Sequence, residues 1–297
     1  MIHRLIAQWP GKASINQLCR VLQVSRSGYY ASRGRAARPG ASSVADMQVS
    51  AVFRASGKTY GSRRVSAALR RQGINIGRHR ARTLMKANGL RPRWRRKFIH
   101  TTDSRHCLAV APNVLDRRFR PQGPNQAWVS DLTYIRTRTG WLYLAAVLDL
   151  HSRKIVGWAM GAQMTAQLVC DALQMAITSR KPSGALIVHS DQGVQYASAQ
   201  HRQLLRGNGF TASMSRKGNC WDNAVMERFF LNLKMERTWH GEYANHAEAR
   251  SDVADYIVGF YNSVRLHSAL EYCSPNEYEQ QTHCSAFTTT ALQGCPK

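Results

Sequence analysis

Hydrophobic residues in the first part of the chain recur at the spacing of short helices. Within residues 14–33, a break near Val24 separates one helix from a second that opens at Ser25 or Ser27. Two short helices joined by a tight turn predict a helix-turn-helix motif within residues 1–38. The apolar stripe of the first helix consists of Ile15, Leu18, Cys19 and Leu22.

A similar pattern returns in residues 59–92, after a stretch rich in Pro, Gly and Ser that we interpret as a linker (39–58). One helix ends near Gly73, and a second ends before Gly89. We predict a second helix-turn-helix-like DNA-binding domain here, with arginines at the start of its second helix. Its candidate DNA contacts are Arg63, Arg64, Arg78, Arg80 and Arg82.

Residues 93–121 form a basic linker in this interpretation, and its start is the richest in charge. There the candidate contacts are Arg93, Trp94, Arg95 and Arg96. Two readings stay open. The run tracks DNA phosphates while Trp94 stacks on a base, or it is a solvated linker with Trp94 packed against the next domain.

From about Gln122 the spacing changes to that of strands. Three strands are predicted in succession, followed by a helix, the apolar strand "GALIVHSD", a further helix, a short strand and a long helix beginning near Asn223. This order predicts a mixed α/β sheet with helical cover over residues 122–282. Residues 283–297 have no periodicity and are expected to be disordered.

Charge separates the two parts of the chain. Residues 1–120 hold 26 Lys and Arg but only three acids, whereas the rest of the chain is nearly neutral, and the whole carries a net charge of +25. Solubility alone does not require a stretch so poor in acids, so this distribution indicates nucleic-acid binding. Because two helix-turn-helix motifs are predicted in the basic part, we expect the partner to be double-stranded DNA.

Other features of the composition limit the location. The longest apolar run, "WLYLAAVL", has 8 residues and stops at Asp149, which is too short to span a membrane. The start of the chain lacks the apolar core of a signal peptide. Seven dispersed cysteines without CxxC spacing suit a reducing compartment and argue against a zinc site or disulfides. We therefore expect a protein of the bacterial cytoplasm, associated with the nucleoid and not with a membrane.

Three acids stand out from their surroundings. Asp131 lies within a predicted strand, Asp191 ends another, and Glu227 stands between Met226 and the pair Phe229–Phe230. A charge beside so much apolar surface is costly unless a partner neutralises it. Individually, Asp131 could cap a turn, Asp191 could start a loop, and Glu227 could pair with a neighbouring cation.

Together, the three acids suggest a shared metal site. Converging carboxylates repel one another, and a pair of Mg²⁺ ions would turn this repulsion into attraction while activating water for phosphodiester cleavage. Lys234 returns to the face of Glu227 after seven residues, and Asn223 lies there one turn earlier. Lys234 is a candidate for binding a DNA phosphate. Asn223 is a candidate either for substrate contact or for capping the helix.

Five segments resemble DDE transposases of the insertion-sequence family numbered three, in the product of its second reading frame. They are "WVSDLTYI", "VLDLHSRKIVGW", "HSDQGVQY", "SRKGNCWDNAVMERFF" and "YNSVRLHSALEYCSPNEY". The similarity covers roughly residues 14–280. The 35 residues between Asp191 and Glu227, and a lysine seven residues beyond Glu227, match the pattern of retroviral-like integrases.

The resemblance implies an RNase H-like core in which Asp131, Asp191 and Glu227 bind Mg²⁺, for which Mn²⁺ can substitute. It implies DNA cleavage at the terminal repeats of a mobile element, followed by attack of the freed 3′-hydroxyl on target DNA. It also implies a first-reading-frame partner protein and a homo-oligomer on DNA.

Four further residues keep two readings each. Asp149 has a turn role or neighbours the metal, and His189 is a core histidine or approaches the metal. Arg265 and His267 either grip DNA or are structural. Two other functions were weighed: a DNA-binding regulator with an inactive core, and a recombinase whose nucleophile is Tyr272 beside Arg265 and His267.

Overall fold

The computed structural model describes residues 2–11, 13–36, 39–93, 110–216 and 220–282. The chain divides into two compact units, Met1–Pro92 and Arg93–Lys297. The predicted tail 283–297 lies outside the described residues, so its disorder stays a prediction. None of the helices in the described ranges is long and apolar enough to cross a membrane.

The first unit is helical, and two helices joined by a short turn lie where the helix-turn-helix of residues 1–38 was predicted. Ser14 caps the second helix: its hydroxyl accepts from the Gln17 backbone at 3.3 Å, while the Gln17 side chain accepts from the Ser14 backbone at 2.8 Å. Leu18, Cys19 and Tyr29 are buried together. The helices are α1 (Ile2–Ala7), α2 (Ile15–Val21) and α3 (Arg26–Ala36), then α4 (Pro39–Ala55), α5 (Ser62–Arg71) and α6 (Arg78–Ala87).

The proposed linker 39–58 was wrong, because most of it is helix α4. Pro39 stands at the first helical position, where a proline is tolerated because its missing N–H would be unpaired anyway. Further along, Val49, Val52 and Phe53 are buried at helical spacing. Helix α4 packs against α5 and α6, and Asn88 donates to Asp46 at 2.8 Å. Helices α4, α5 and α6 therefore form one three-helix unit, where the sequence predicted a second DNA-binding domain of two helices.

The second unit is built on one five-stranded sheet with strand order β3-β2-β1-β4-β5. The first three strands are antiparallel, and β1, β4 and β5 run parallel. This mixed sheet with helical cover confirms the predicted α/β RNase H-like class. The strands are β1 (Ala127–Thr137), β2 (Gly140–Asp149), β3 (Ile155–Gly161), β4 (Ile187–Ser190) and β5 (Thr211–Met214).

Helices cover both faces of this sheet. Their bounds are α7 (Ala166–Arg180), α8 (Ala199–Gly207), α9 (Ala224–Leu233) and α10 (His246–Asp255). Helix α9 continues into a wider, π-helical turn at Lys234–Thr238, and α10 into another at Tyr256–Tyr261. Residues 275–282 are also helical.

Strand alternation divides the core into two layers. Val129 and Ile135 of β1 pack with residues of α9 and α10, whereas Trp128 packs with residues of α7 and α8. Helix α7 approaches β3 very closely at Gly157, where an added Cβ would lie 2.2 Å from the carbonyl oxygen of Ala172. Asp131 has the same parity as Val129 and therefore lies on the layer that contains α9.

A buried ion pair joins the two π-helical turns to the segment that follows the second turn. Both nitrogens of the Arg265 fork donate to the Glu236 carboxylate at 2.8 Å, and the Tyr256 hydroxyl donates to the same carboxylate at 2.7 Å. Arg265 is 1% exposed. Its role is therefore structural, and it cannot grip DNA or support a tyrosine nucleophile in this arrangement.

Buried His201 should make the core sensitive to acid. Burial lowers the pKa of His201 from 6.5 to about 4, so between these values the unfolded chain binds a proton that the folded chain does not. Stability is therefore lost as the pH falls through this window, by about 2 kcal/mol near pH 4.5. We expect His201→Gln to reduce, by the share due to this histidine, the fall in the free energy of unfolding in urea between neutral pH and that point. His240→Gln, at an exposed histidine, is the control and should keep the full slope; an equal slope in His201→Gln would contradict the prediction.

Candidate active site

Asp131 and Asp191 lie at the same level of the sheet. The parallel pairing of β1 and β4 ends with Val129 opposite His189. Asp131 follows Val129 by two residues, and Asp191 follows His189 by two residues. Since paired strands lie about 4.8 Å apart, the register brings the two acids to neighbouring positions at the carboxyl end of β4.

Asp191 also organises the loop that follows β4. Its Oδ1 accepts a hydrogen bond from the Gly193 backbone at 3.0 Å. A Cβ on Gly193 would lie 3.0 Å from that same oxygen, so the residue's small size lets the loop close. Asp191 therefore does initiate this loop, and the hydrogen bond from Gly193 fixes the position of one of its carboxylate oxygens.

Glu227 reaches this place from the first turn of α9, but its surroundings differ from those expected. Met226, Phe229 and Phe230 are buried in the core, whereas the Glu227 side chain is exposed. Helical geometry separates residues that are adjacent in sequence onto different faces. The argument from costly apolar neighbours was therefore wrong, and the link between Glu227 and Asp131 is electrostatic: the charge of Glu227 raises the pKa of Asp131.

Electrostatics connects the three acids and Lys234. Burial raises the pKa of Asp131 well above its usual range, and the charges of Asp191 and Glu227 raise it further. The Leu132 backbone, which donates to Asp131 at 2.7 Å, and the Lys234 ammonium act in the opposite direction. Burial lowers the pKa of Lys234, and Asp131 opposes this shift. Lys234 lies 4.8 Å from the ring centre of Tyr134.

The three carboxylates do not close on a single point. Among the residues that the structure describes, no group of three or more His, Cys, Asp or Glu side chains is placed to hold one metal ion. Asp131 is half-buried, and its pKa is raised by the charges of both other acids. The arrangement would suit a metal ion held by Asp131 and one other carboxylate, with the remaining ligand positions of the ion left to water or phosphate.

Asn223 was predicted either to contact substrate or to cap α9, and its side chain makes no capping hydrogen bond. Its Nδ2 lies 3.5 Å from the Ser130 carbonyl, and its Oδ1 is buried without a hydrogen-bond partner in the described structure. The capping role is therefore not supported. Because an unpaired buried acceptor is costly, the amide oxygen of Asn223 favours the other role, a polar contact with a substrate.

Sequence reasoning missed Tyr196 and Ser130, which lie beneath the acids. Their hydroxyls share a hydrogen bond of 3.1 Å. Burial, followed by the charges of Asp131 and Asp191, raises the pKa of Tyr196 well above its usual range. The only sequence signal was the place of Tyr196 at the end of "HSDQGVQY".

Asp222, also missed, fixes the start of α9. Its fully buried carboxylate accepts from the Arg117 side chain at 2.8 Å, from the Arg216 side chain and backbone at 3.0 Å, and from Asn113 at 3.0 Å. These bonds, led by the one from Arg216, hold the pKa of Asp222 well below its usual range. Because Asp222 is five residues before Glu227, this cluster sets where the glutamate-bearing helix begins.

The sequence of the second unit matches families described as integrase core domains, over residues 121–220 and again over 208–275. Residues 45–98 match a family described as an HTH-like domain. Transposase InsF for insertion sequence IS3A, from Escherichia coli strain K12, is 41% identical over 95% of this chain and 99% of its own length. The chain belongs to the IS3 family of transposases.

The chain is also similar to three other proteins. An uncharacterized 31 kDa protein of insertion element IS600 from Shigella sonnei is 43% identical to the transposase over 90% of this chain and 98% of its own. A chain of a simian T-cell lymphotropic virus intasome in complex with a PP2A regulatory subunit is 16% identical, with a TM-score of 0.47 over 72% of this chain and 70% of that one. The HTLV-2 integrase catalytic core domain in complex with magnesium is 15% identical, with a TM-score of 0.42 over 54% of this chain and 99% of that one.

As an IS3-family protein with an integrase core, the transposase is a DDE-type polynucleotidyl transferase, and its HTH-like region indicates DNA binding. The family predicted from the sequence is thus confirmed. A DNA-binding regulator with an inactive core is not favoured.

The arginines predicted to contact DNA are mostly accessible in the transposase. Arg63, Arg78, Arg80, Arg82 and Arg93 are exposed. Arg64 is half-buried and lies 5.7 Å from the ring centre of Tyr60. The other candidates, Trp94, Arg95 and Arg96, lie outside the described residues.

Asp149 has the turn role. Its carboxylate accepts from the His151 backbone at 2.8 Å and from the Asn125 backbone at 2.8 Å. Arg180 lies 3.6 Å from it.

His189 is a core histidine. Its ring nitrogens lie 2.9 Å and 3.1 Å from the hydroxyls of Ser213 and Ser215. Burial lowers its pKa to about 4, so it is neutral at pH 7. His267 is buried against the ring of Tyr261, edge to face at 4.9 Å, which favours its structural role.

Proposed function

We propose that Asp131, Asp191 and Glu227 are the catalytic carboxylates of this transposase and bind its divalent metal, as two Mg²⁺ ions for which Mn²⁺ can substitute. The observation that carries the proposal is the register of β1 and β4, which sets Asp131 and Asp191 side by side, with Glu227 close enough to raise the pKa of Asp131. Carboxylate oxygens are the ligands that Mg²⁺ prefers. Bound there, the ions would lower the pKa of a water molecule and stabilise charge on the reacting phosphate.

The proposed reaction is a series of displacements at phosphorus. Water attacks a phosphodiester at the end of the element, the bond between phosphorus and the 3′-oxygen breaks, and a 3′-hydroxyl and a 5′-phosphate result. The 3′-hydroxyl then attacks a second phosphodiester and displaces its 3′-oxygen. A further hydrolysis frees a 3′-hydroxyl again, and this hydroxyl attacks target DNA in the same way. One P–O bond forms as another breaks, so no oxidant or nucleotide cofactor is consumed.

Lys234 and Asn223 are proposed to hold the DNA during these steps. Lys234 lies within electrostatic reach of Asp131, so its ammonium can bind a phosphate of the DNA strand near the one that reacts. Asn223 has a buried amide oxygen without a protein partner in the described residues. That oxygen can accept a hydrogen bond from the substrate.

The first unit is proposed to recognise the terminal repeats through the helix-turn-helix of residues 1–38 and the three-helix unit of residues 39–92. The arginines at 63, 64, 78, 80 and 82 would contact this DNA. Residues 93–121, with Arg93, Trp94, Arg95 and Arg96, would follow the phosphates towards the core at 122–282.

Assembly and location are part of the same proposal. The transposase would act as a homo-oligomer on DNA, together with a first-reading-frame partner protein. A protein that cuts and joins bacterial DNA in this way works in the cytoplasm, at the nucleoid.

A nicking assay tests this function. The full chain, with its first-frame partner supplied, is incubated with Mg²⁺ and duplexes that carry candidate terminal repeats, and the cuts are mapped. We expect cuts at the repeat ends that leave 3′-hydroxyls, joined products, and neither in the presence of a chelator. A variant truncated near residue 120 should keep its sheet by circular dichroism but lose end selection. End-selective cutting by the truncated variant would overturn the domain assignment, and no Mg²⁺-dependent cutting of any repeat would overturn the function.

A further inference from the structure

A half-exposed aromatic face lies at the tip of the β1–β2 hairpin. Tyr134 pairs opposite Tyr143, and Arg136 opposite Trp141, so these four side chains share one face of the sheet. Towards the other end of the hairpin, the same face is covered by helix α7, and Trp128 is 0% exposed. At the tip this cover is incomplete, because Trp141 is 48% exposed.

The rings at the tip are organised and carry a cation. Tyr134 and Trp141 pack edge to face, with their centres 4.9 Å apart at 85°. The ammonium of Lys234 lies over the Tyr134 ring at 4.8 Å. Arg136 is exposed and forms no ion pair with any residue that the structure describes. The surface therefore offers π faces and positive charge together.

Lys234 connects this surface to the acids. It follows α9, which packs on the opposite face of the sheet, yet its ammonium reaches Tyr134. Since β4 ends at Ser190, β1 has no β4 partner beyond Val129, and Lys234 passes along this part of the strand. Tyr134 follows Asp131 by three residues, which is about 10 Å of strand or roughly three base steps of a nucleic acid.

We propose that Tyr134 and Trp141 form a stacking platform for an unpaired DNA base a few nucleotides from the phosphate to be cut, while Lys234 and Arg136 bind the phosphates beside that base. The inference rests on the proposed function, because it takes Asp131 as the point where the strand is cut. Aromatic rings accept any base, and their combination with cations is typical of single-strand binding. An acidic protein would pair with the cations but would leave the π faces unused.

Aromatic cross-strand pairs also stabilise hairpins, so the test must separate stacking from folding. Trp141→Phe keeps a π face, whereas Trp141→Leu keeps an apolar side chain without one. Val258→Ala, at another exposed apolar residue (51%), is the control. Thermal unfolding of each variant reports on the fold.

Binding is measured on the full chain in the presence of a chelator, so that no strand is cut. The two probes are a short duplex with a single-stranded overhang and the same duplex with blunt ends. We expect the parent, Trp141→Phe and Val258→Ala to prefer the overhang, and Trp141→Leu to bind it about ten-fold more weakly with little change on the blunt duplex. With 5-iodouracil placed at successive overhang positions, photo-crosslinks should map to Trp141 or Tyr134.

Equal overhang binding by a folded Trp141→Leu, or crosslinks only to other parts of the chain, would overturn the platform. The experiment is independent of turnover. If overhang preference and crosslinks persist while Mg²⁺ yields no cutting, the proposed function fails and base stacking at the hairpin stands.

Discussion

Glu227→Gln should abolish DNA cleavage and joining while leaving DNA binding intact. The substitution keeps the size and shape of the side chain but removes the negative charge that a divalent cation requires from its ligand. Loss of an essential group in a catalytic set lowers rates by several orders of magnitude, and we expect at least about a thousand-fold. Nicking and strand-transfer assays with Mg²⁺ and with Mn²⁺ measure the loss, and fluorescence anisotropy measures binding.

The matched control for this variant is Glu242→Gln. Glu242 is a surface glutamate, 86% exposed, whose partner is Arg138 at 3.3 Å. Its neutralisation should leave cutting unchanged, since exposed ion pairs contribute little. Because Glu227 is exposed, its substitution should also leave the thermal unfolding of the chain nearly unchanged. Turnover by Glu227→Gln at the parent rate would remove the glutamate from the proposed mechanism.

Arg265→Met is expected to produce the largest loss of stability, about 3–5 kcal/mol in the free energy of unfolding. The substitution leaves the Glu236 carboxylate buried with only the Tyr256 hydroxyl as a side-chain donor from the original cluster. An unpaired buried charge costs more than the lost bonds themselves. Urea unfolding, followed by circular dichroism, measures the change.

A double variant separates the two contributions. Arg265→Met with Glu236→Leu removes both charges and should recover part of the stability lost in Arg265→Met. Arg138→Met is the surface control, since Arg138 and Glu242 are both exposed, and it should change stability by less than about 1 kcal/mol. A loss below 1 kcal/mol in Arg265→Met, or a further loss in the double variant, would show that the pair does not behave as a buried charge cluster.

The sequence allowed the succession of strands and helices in the second unit and the sheet face of Asp131 to be predicted, because both depend on local regularities. Strand alternation alone placed Asp131 on one face, and its neighbour Val129 does lie in the layer of α9. Helical periodicity placed Lys234 on the side of Glu227, and Lys234 does respond to Asp131. Such regularities extend over a few residues and can be read from the chain.

What could not be predicted depends on partners distant in sequence or on competing local signals. The pair Glu236–Arg265 joins residues 29 positions apart, and Asp222 binds Arg117 across 105 positions. The sequence around Glu236 and around Asp222 gives no signal that identifies the arginine partner of either acid. Helix α4 was missed for another reason: Pro and Gly usually break helices, but here they stand at its first turn, where the missing donor costs little.

The carboxylate of Asp222 has a consequence for how this family can diverge. It neutralises two guanidinium groups, those of Arg117 and Arg216, and takes a further bond from Asn113. A lineage that loses this acid would leave two arginine side chains at the start of α9 without the carboxylate that they share. Substitutions at positions 117, 216 and 222 should therefore be inherited as correlated sets, and a relative with a neutral residue at 222 should have exchanged at least one of the two arginines.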